Sequence, residues 1–149
     1  MKLLTITVPM YNVANYIEEC LKSFLVPGAE EALEVMVVND ETPDNSREIA
    51  EKFVEKYPEI YRIIDKKNGG HGSTVNRGIE EAAGKYFKVV DGDDWVTMKV
   101  LNSYESFIIG GLCKHGKING LFYRFPVFGW NQPVGQAEKA LRCCRDQKH

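Results

Sequence analysis

Three carboxylates fall within four positions in VVDGDDWV, residues 89–96. Asp91, Asp93 and Asp94 repel one another unless a cation lies among them. Carboxylate oxygens are hard ligands that suit Mg2+ or Mn2+, ions that keep several waters and bridge to phosphate oxygens. An ion held there can neutralise the charge that grows on a departing diphosphate. The same spacing also suits a solvated acidic turn, because D-G-D is common turn chemistry. A further carboxylate, Asp40, follows the apolar run VMVV. It can accept a hydrogen bond from a base N–H or a ribose hydroxyl, or it can serve the turn that follows. A third feature is NGGHGS, residues 68–73. Its glycines let backbone N–H groups approach a phosphate, and a helix N-terminus after it favours an anion. It is neither G-x-G-x-x-G nor a Walker loop. His71 within it reads as an orienting or loop residue rather than a catalytic base.

These residues need elements to position them. LLTITV, residues 3–8, is a β-rich run ending at Pro9. Apolar residues then recur at helical spacing from Val13 to Leu25, with Asn12 as the expected N-cap and Pro27-Gly28 as the stop. Val35 to Val38 reads as a buried strand. Thr42-Pro43 offers a cap and a first helical position for a helix that Pro58 ends. Tyr61 to Ile64 is a third strand. A helix is expected over about 73–83, closed by Gly84 in a left-handed turn. Tyr86 to Val90 is a fourth strand. The β-α-β-α-β-α-β order predicts an α/β fold, a three-layer α/β/α arrangement with a mostly parallel Rossmann-like sheet. In such sheets ligands bind beyond the carboxyl ends of the strands. Tyr11-Asn12, Asn39-Asp40-Glu41, the glycine-rich loop and residues 91–94 all fall there. Beyond residue 97 the signals weaken. Thr97 is a candidate cap for a helix ending at Gly110-Gly111. Residues 121–128 are a candidate strand, which Pro126 disfavours as a central one. Residues 135–145 are a candidate short helix.

Together these segments resemble family 2 glycosyltransferases, the GT-A type that uses nucleotide-diphosphate sugars. The matching pieces, in order, are TITVPMYNVANYIEECLKSF, VMVVNDETPDNSREIA and KKNGGHGSTVNRGIEEAAGKYFKVVDGDDWV. The resemblance covers residues 3–97 and implies the roles that follow. Pro9, Tyr11 and Asn12 lie by the nucleoside. The family's Asp pair at the end of the second strand, which reads the uracil or ribose, stands here as Asn39-Asp40. The following Gly-Ser is Glu41-Thr42. Asn68 and Gly69 match the loop after the third strand. Val75 replaces the usual Arg before the helix Asn, whereas Asn76, Arg77 and Gly78 match. The Asp-x-Asp metal motif matches at Asp91 and Asp93. The donor-binding set is thus Pro9, Tyr11, Asn12, Asp40, Asn68, Gly69 and Asp91, with Mn2+ or Mg2+ on Asp91 and Asp93. The implied partners are a nucleotide-diphospho-sugar, with a UDP-sugar expected, and a saccharide or lipid-linked acceptor. The implied chemistry is in-line attack by an acceptor hydroxyl with inversion, aided by a carboxylate general base.

That base is not identified. Only Glu105, Glu138 and Asp146 follow Asp94. Residues 1–100 carry 12 Lys+Arg against 18 Asp+Glu, whereas residues 101–149 carry 7 against 3. The expected division is a nucleotide-sugar-binding region over 1–100 and a short divergent segment over 101–149. The latter reads as truncated, divergent or out of frame rather than as a full acceptor domain. A non-catalytic nucleotide-sugar-binding fragment is therefore the alternative to an active transferase. A sugar-phosphate nucleotidyltransferase is disfavoured, because no glycine-rich N-terminal phosphate loop with Lys or Arg is present. The composition narrows the classes further. A formal net charge of −2 over 149 residues disfavours a nucleic-acid partner. Hydrophobic residues at 44% suit a globular core, and no apolar run approaches a membrane span. The N-terminus reads as a strand rather than a signal peptide. Four cysteines without a C-x-x-C pair indicate neither a zinc site nor a disulfide framework. A reducing, cytoplasmic setting is expected, with homo-oligomer formation or peripheral membrane contact left open.

Overall fold

The computed structural model describes residues 2–96 together with Tyr123–Arg124. The element order is β1 (Leu4–Met10), α1 (Ile17–Lys22), β2 (Leu33–Asn39), α2 (Ser46–Lys56), β3 (Tyr61–Asp65), α3 (His71–Glu81), β4 (Tyr86–Val89) and β5 (Tyr123–Arg124). They form one sheet in the order β3-β2-β1-β4-β5. β1 to β4 are parallel, and β5 adds an antiparallel edge through Tyr86↔Arg124 and Phe87↔Tyr123. β5 lies inside the candidate strand 121–128. The candidate helices at 97–111 and 135–145 lie outside the described residues, as do Cys113, Cys143 and Cys144. Among the described residues no helix is long and apolar enough to cross a membrane.

β1 and β2 are buried along their whole length, as near-continuous apolar runs require in a parallel sheet. Alternation sorts their side chains between two faces. Leu4, Ile6, Val8 and Met10 join Val35 and Val37 in a core with Ile17, Cys20 and Leu21 of α1 and Ala50 of α2. On the other face Met36, Val38, Ile64 and Phe87 pack with Ala82 and Ile79. α3 approaches β1 closely on that face: a Cβ on Gly78 would stand 2.5 Å from Thr7 Cγ2. The expected three-layer, mostly parallel arrangement is thus the one observed.

Several local expectations give way to tertiary contacts. β1 runs through Pro9 to Met10, because Pro9 lies beyond the last β1–β4 register pair, Thr7↔Val89, and its missing N–H costs no bond to β4. Asn12 is not the cap of α1. It adopts φ +56°, and regular helix begins only at Ile17. Thr42 does not cap α2, which starts at Ser46; its hydroxyl is used on the loop after β1 instead. α3 begins two residues early, at His71, and ends at Glu81. Gly84 closes no left-handed turn. It is needed because a Cβ there would stand 2.5 Å from the Thr5 backbone nitrogen. Pro27-Gly28 is not the stop of α1, which ends at Lys22; it forms a later turn, with Gly28 at φ +88°.

Candidate functional site

The carboxyl ends of β1 to β4 share one edge of the sheet, and the loops there are bonded to one another. Asp40, which follows β2, is 2% exposed. Its Oδ1 accepts from Lys66 Nζ at 2.6 Å and from the Gly69 N–H at 2.9 Å. Its Oδ2 accepts from the Gly70 N–H at 2.8 Å. Burial pushes this carboxyl up. The Lys66 hydrogen bond, the two glycine N–H groups and the Lys66 charge outweigh burial and hold it below the ordinary range. Asp40 therefore clamps the glycine-rich loop onto the end of β2. Three of its roughly four acceptor positions are used by the protein.

That clamp shapes the start of α3. Gly70 sits at φ +84°, a conformation a side chain would strain, and no side chain among the described residues caps the helix. The N–H groups of Gly69 and Gly70 serve Asp40. Those of His71 and Gly72 lie in the first turn, where the helix itself offers no acceptor. Asn68 is held through its backbone, whose N–H donates to Glu41 Oε2 at 3.1 Å.

After β4 the chain turns tightly, with the Asp94 N–H donating to the Asp91 carbonyl at 2.9 Å. Gly92 allows this turn to seat against β1, since a Cβ there would be 3.0 Å from the Pro9 carbonyl oxygen. His71 Nε2 lies 2.7 Å from Asp91 Oδ1, joining the start of α3 to the acidic turn. Asp93 and Asp94 are exposed and have no ion-pair partner among the described residues. Their field is felt inside the fold. The buried Cys20 thiol, which donates to the Asp91 carbonyl at 3.6 Å, is pushed up to about 12 by burial first and by Asp94, Asp93 and Asp91 next.

No group of three or more His, Cys, Asp or Glu able to hold a metal occurs among the described residues. A small hard dication does not need one. Mg2+ commonly takes one or two carboxylates, with waters and substrate phosphates completing the shell. Asp93, with no cation beside it among the described residues, and Asp91, with Oδ2 outside the His71 contact, are a donor set of that kind.

The expected site residues thus gather on one edge. Asp40 and Gly69 are bonded directly. Asp91 reaches the same loop through His71, and Pro9 backs the acidic turn. Tyr11 is half exposed at the end of β1, and the neighbouring Asn12 N–H donates to Thr42 Oγ1 at 2.8 Å. Lys66 and Asp44 were not expected. Lys66 directly follows β3, the position that faces Asp40 in a parallel pair. Asp44 lies in TPDNS, a run rich in side chains that bond to backbone. Its Oδ1 accepts from Ser46 Oγ, Thr42 Oγ1 and the Ser46 N–H, and its Oδ2 from the Ala14 N–H. Burial opposes its ionisation, but these four donors bring Asp44 down to about 2.

The sequence model described as "Glycosyl transferase family 2" matches residues 5–107. The chain is 47% identical over 95 residues to a Bacillus subtilis (strain 168) protein described as "Uncharacterized glycosyltransferase EpsJ", covering 64% of this chain and 27% of that one. The crystal structure of S. aureus TarS 1-349 in complex with UDP-GlcNAc superposes with a TM-score of 0.63 at 31% identity, over 74% of this chain and 32% of that one. The mannosyltransferase PcManGT from Pyrobaculum calidifontis, in complex with GDP-Man and Mn2+, gives a TM-score of 0.60 at 25% identity, over 66% of this chain and 30% of that one. The chain spans about a quarter to a third of the length of these relatives. With its GT-A-type sheet and these matched segments, the chain belongs to glycosyl transferase family 2.

Proposed function

We propose that the chain forms the donor side of a glycosyltransferase that moves a sugar from a nucleotide-diphosphate donor, a UDP-sugar, to an acceptor hydroxyl with inversion. The observation that carries this is the joining of the glycine-rich loop, the open start of α3 and the acidic turn on one sheet edge by Asp40 and His71. The loop after β1, with Pro9, Tyr11 and Asn12, borders the nucleoside. Asp40 keeps one acceptor position for a base or ribose donor while it fixes the Gly69 and Gly70 backbone. The first-turn N–H groups of α3 face the diphosphate, where the helix dipole favours negative charge. Asp91 and Asp93 would hold Mn2+ or Mg2+, which when bound supplies charge stabilisation to the leaving diphosphate. Asp91 is oriented for this by His71. The acceptor is a saccharide or lipid-linked hydroxyl compound, received outside the 1–100 donor region.

A second reading is favoured by the lack of an identified carboxylate base for the acceptor hydroxyl among the described residues. In it the chain binds a nucleotide sugar and transfers nothing by itself. Calorimetric titration tests what both readings share. UDP should bind in the presence of Mn2+ and not in its absence, and more tightly than GDP. Asp93→Ala should abolish the metal-dependent binding and leave the thermal midpoint unchanged. Unchanged UDP affinity in that variant would show the metal assignment to be wrong. Turnover with a panel of acceptors then separates transfer from binding alone.

A further inference from the structure

Three successive backbone N–H groups of the loop after β1 end on three side chains, two in the loop after β2 and one on Ser46, the first residue of α2. Asn12 donates to Thr42 Oγ1 at 2.8 Å, Val13 to Ser46 Oγ at 3.2 Å and Ala14 to Asp44 Oδ2 at 2.9 Å. The two hydroxyls are not free to turn. Thr42 Oγ1 donates to Asp44 Oδ1 at 2.7 Å, and Ser46 Oγ donates to the same oxygen at 2.5 Å. A hydroxyl has one proton to give. With both protons committed to Asp44, both oxygens present lone pairs to Asn12 and Val13. One carboxylate therefore takes one N–H directly and two through relays.

The loop needs this support because its conformation is not a helical one. Asn12 is held at φ +56°, and regular helix starts five residues later. Asn tolerates this region better than most residues, and the three clamp bonds hold the segment in it. Tyr11 and Asn12, the residues that border the nucleoside in the proposed function, ride on this segment.

We infer that Asp44, acting through Thr42 and Ser46, is a positioning residue for nucleotide binding: it fixes the loop after β1 in the shape that receives the nucleoside. The inference rests on the donor-site reading above. It concerns the nucleoside end, because none of the three clamping side chains bonds to the start of α3 or to the 91–94 turn; that turn meets the clamped segment by packing, with Gly92 seated against Val13.

That separation gives the test. Thr42→Val removes the acceptor for Asn12 and keeps the volume. Thr42→Ser restores the hydroxyl. Asp44→Asn removes the common acceptor charge. Each variant is titrated with UDP and, separately, with inorganic pyrophosphate, both with Mn2+. Thr42→Val and Asp44→Asn should weaken UDP by about tenfold and leave pyrophosphate unchanged, and Thr42→Ser should recover UDP binding. Hydrogen exchange at the Asn12, Val13 and Ala14 amides should quicken in the two weakened variants and not in Thr42→Ser. If Asp44→Asn fails to fold, Thr42→Val and Thr42→Ser decide alone. Equal UDP affinity in Thr42→Val and the parent overturns the inference, as does an equal loss for UDP and pyrophosphate, which marks a merely structural role. A parent chain that binds pyrophosphate with Mn2+ but not UDP overturns the nucleoside assignment itself. One that binds neither overturns the donor-site reading, and this inference with it.

Discussion

The Asp40–Lys66 pair is the point at which removing a few atoms should cost the fold most per atom. The Asp40 side chain is 3% exposed and that of Lys66 is 17% exposed, at a separation of 2.6 Å. Asp40→Ala leaves the ammonium with the Lys67 carbonyl as its remaining partner among the described residues, also at 2.6 Å. It also strips the acceptor from two glycine N–H groups. Breaking a buried pair from one side costs about 3–5 kcal/mol. The lower end applies here, because the loop carrying Gly69 and Gly70 is exposed and Lys66 is close enough to the surface to find water. About 3 kcal/mol corresponds to a fall of about 6–12 °C in thermal midpoint for a chain of this size. Lys66→Met should cost less, about 1–2 kcal/mol, since Asp40 keeps both glycine donors. The double variant should be more stable than the sum of the single effects predicts, with a coupling of about 1–2 kcal/mol. Denaturant unfolding of the four proteins, compared at the midpoint with equal slopes, measures this. A loss under about 1 kcal/mol for Asp40→Ala, or strict additivity, would refute the view that this carboxylate organises the loop as an ion-paired clamp.

Acid should act first on carboxylates whose ionised form is bonded. Asp44 sits at about 2 in the folded chain against an ordinary 3.8, so its contribution is fully present above about pH 4 and is lost as pH falls toward 2. That contribution is on the order of 1–2 kcal/mol after allowance for its partial exposure. Asp40 and Asp65 are lowered too and add to the same limb, so stability measured from pH 5 to pH 2 should fall steeply in the parent and less steeply in Asp44→Asn. At the α3–β1 contact, Gly78→Ala should destabilise by about 1–2 kcal/mol, the overpacking cost exceeding the gain in helix propensity. Thr7→Ala combined with it should recover part of the loss, because the two atoms 2.5 Å from the added Cβ leave with the Thr7 side chain while Thr7 Cβ stays at 2.9 Å. A neutral Gly78→Ala in thermal unfolding would rule out that close approach.

The sheet was legible because its evidence is local and redundant. VMVV cannot be an exposed strand, and the alternation of strand-like and helix-like periods leaves little besides parallel strands with crossover helices. The acidic turn was legible for a related reason, since three carboxylates in four residues need a common explanation. The caps were not. Asn12 and Thr42 are good cap residues by type, yet a cap is a claim about which backbone groups are free to be bonded. Here the N–H groups of residues 12–14 are taken by Thr42, Ser46 and Asp44 from another part of the chain. Local bonding preferences of Ser, Thr, Asn and Asp compete with such partners and lose when the fold brings the loops together. Gly84 misled for a similar reason. Its glycine answers a close approach to β1 rather than a left-handed turn, and both needs look the same in one sequence.

The departures from the family pattern after β2 become coherent once their neighbours are known. Asn39 donates from Nδ2 to Asp65 Oδ1 at 2.9 Å and accepts the Thr42 N–H on Oδ1. A carboxylate at 39 would face Asp65 at that distance, and like charges would repel in a residue only 6% exposed. Asp65 is in turn held low, chiefly by its hydrogen bond with Arg47. The amide therefore suits a chain that places an acidic residue at the end of β3. Glu41 stands where the pattern has glycine, and the backbone shows why glycine is usual there: φ is +57°, a conformation that costs an ordinary residue about 1–2 kcal/mol. Glu41 returns part of that cost by accepting the Asn68 N–H. Thr42 keeps the hydroxyl of the usual Ser, the atom on which Asn12 depends. Thr42 thus keeps an interaction the usual Ser could make, whereas Asn39 and Glu41 add bonds the usual residues could not, and all three tie the end of β2 to neighbouring segments of the same edge. The matched motif residues gather at one edge because residues 39–46 bond in one direction to the loop after β1 and in the other to the glycine-rich loop.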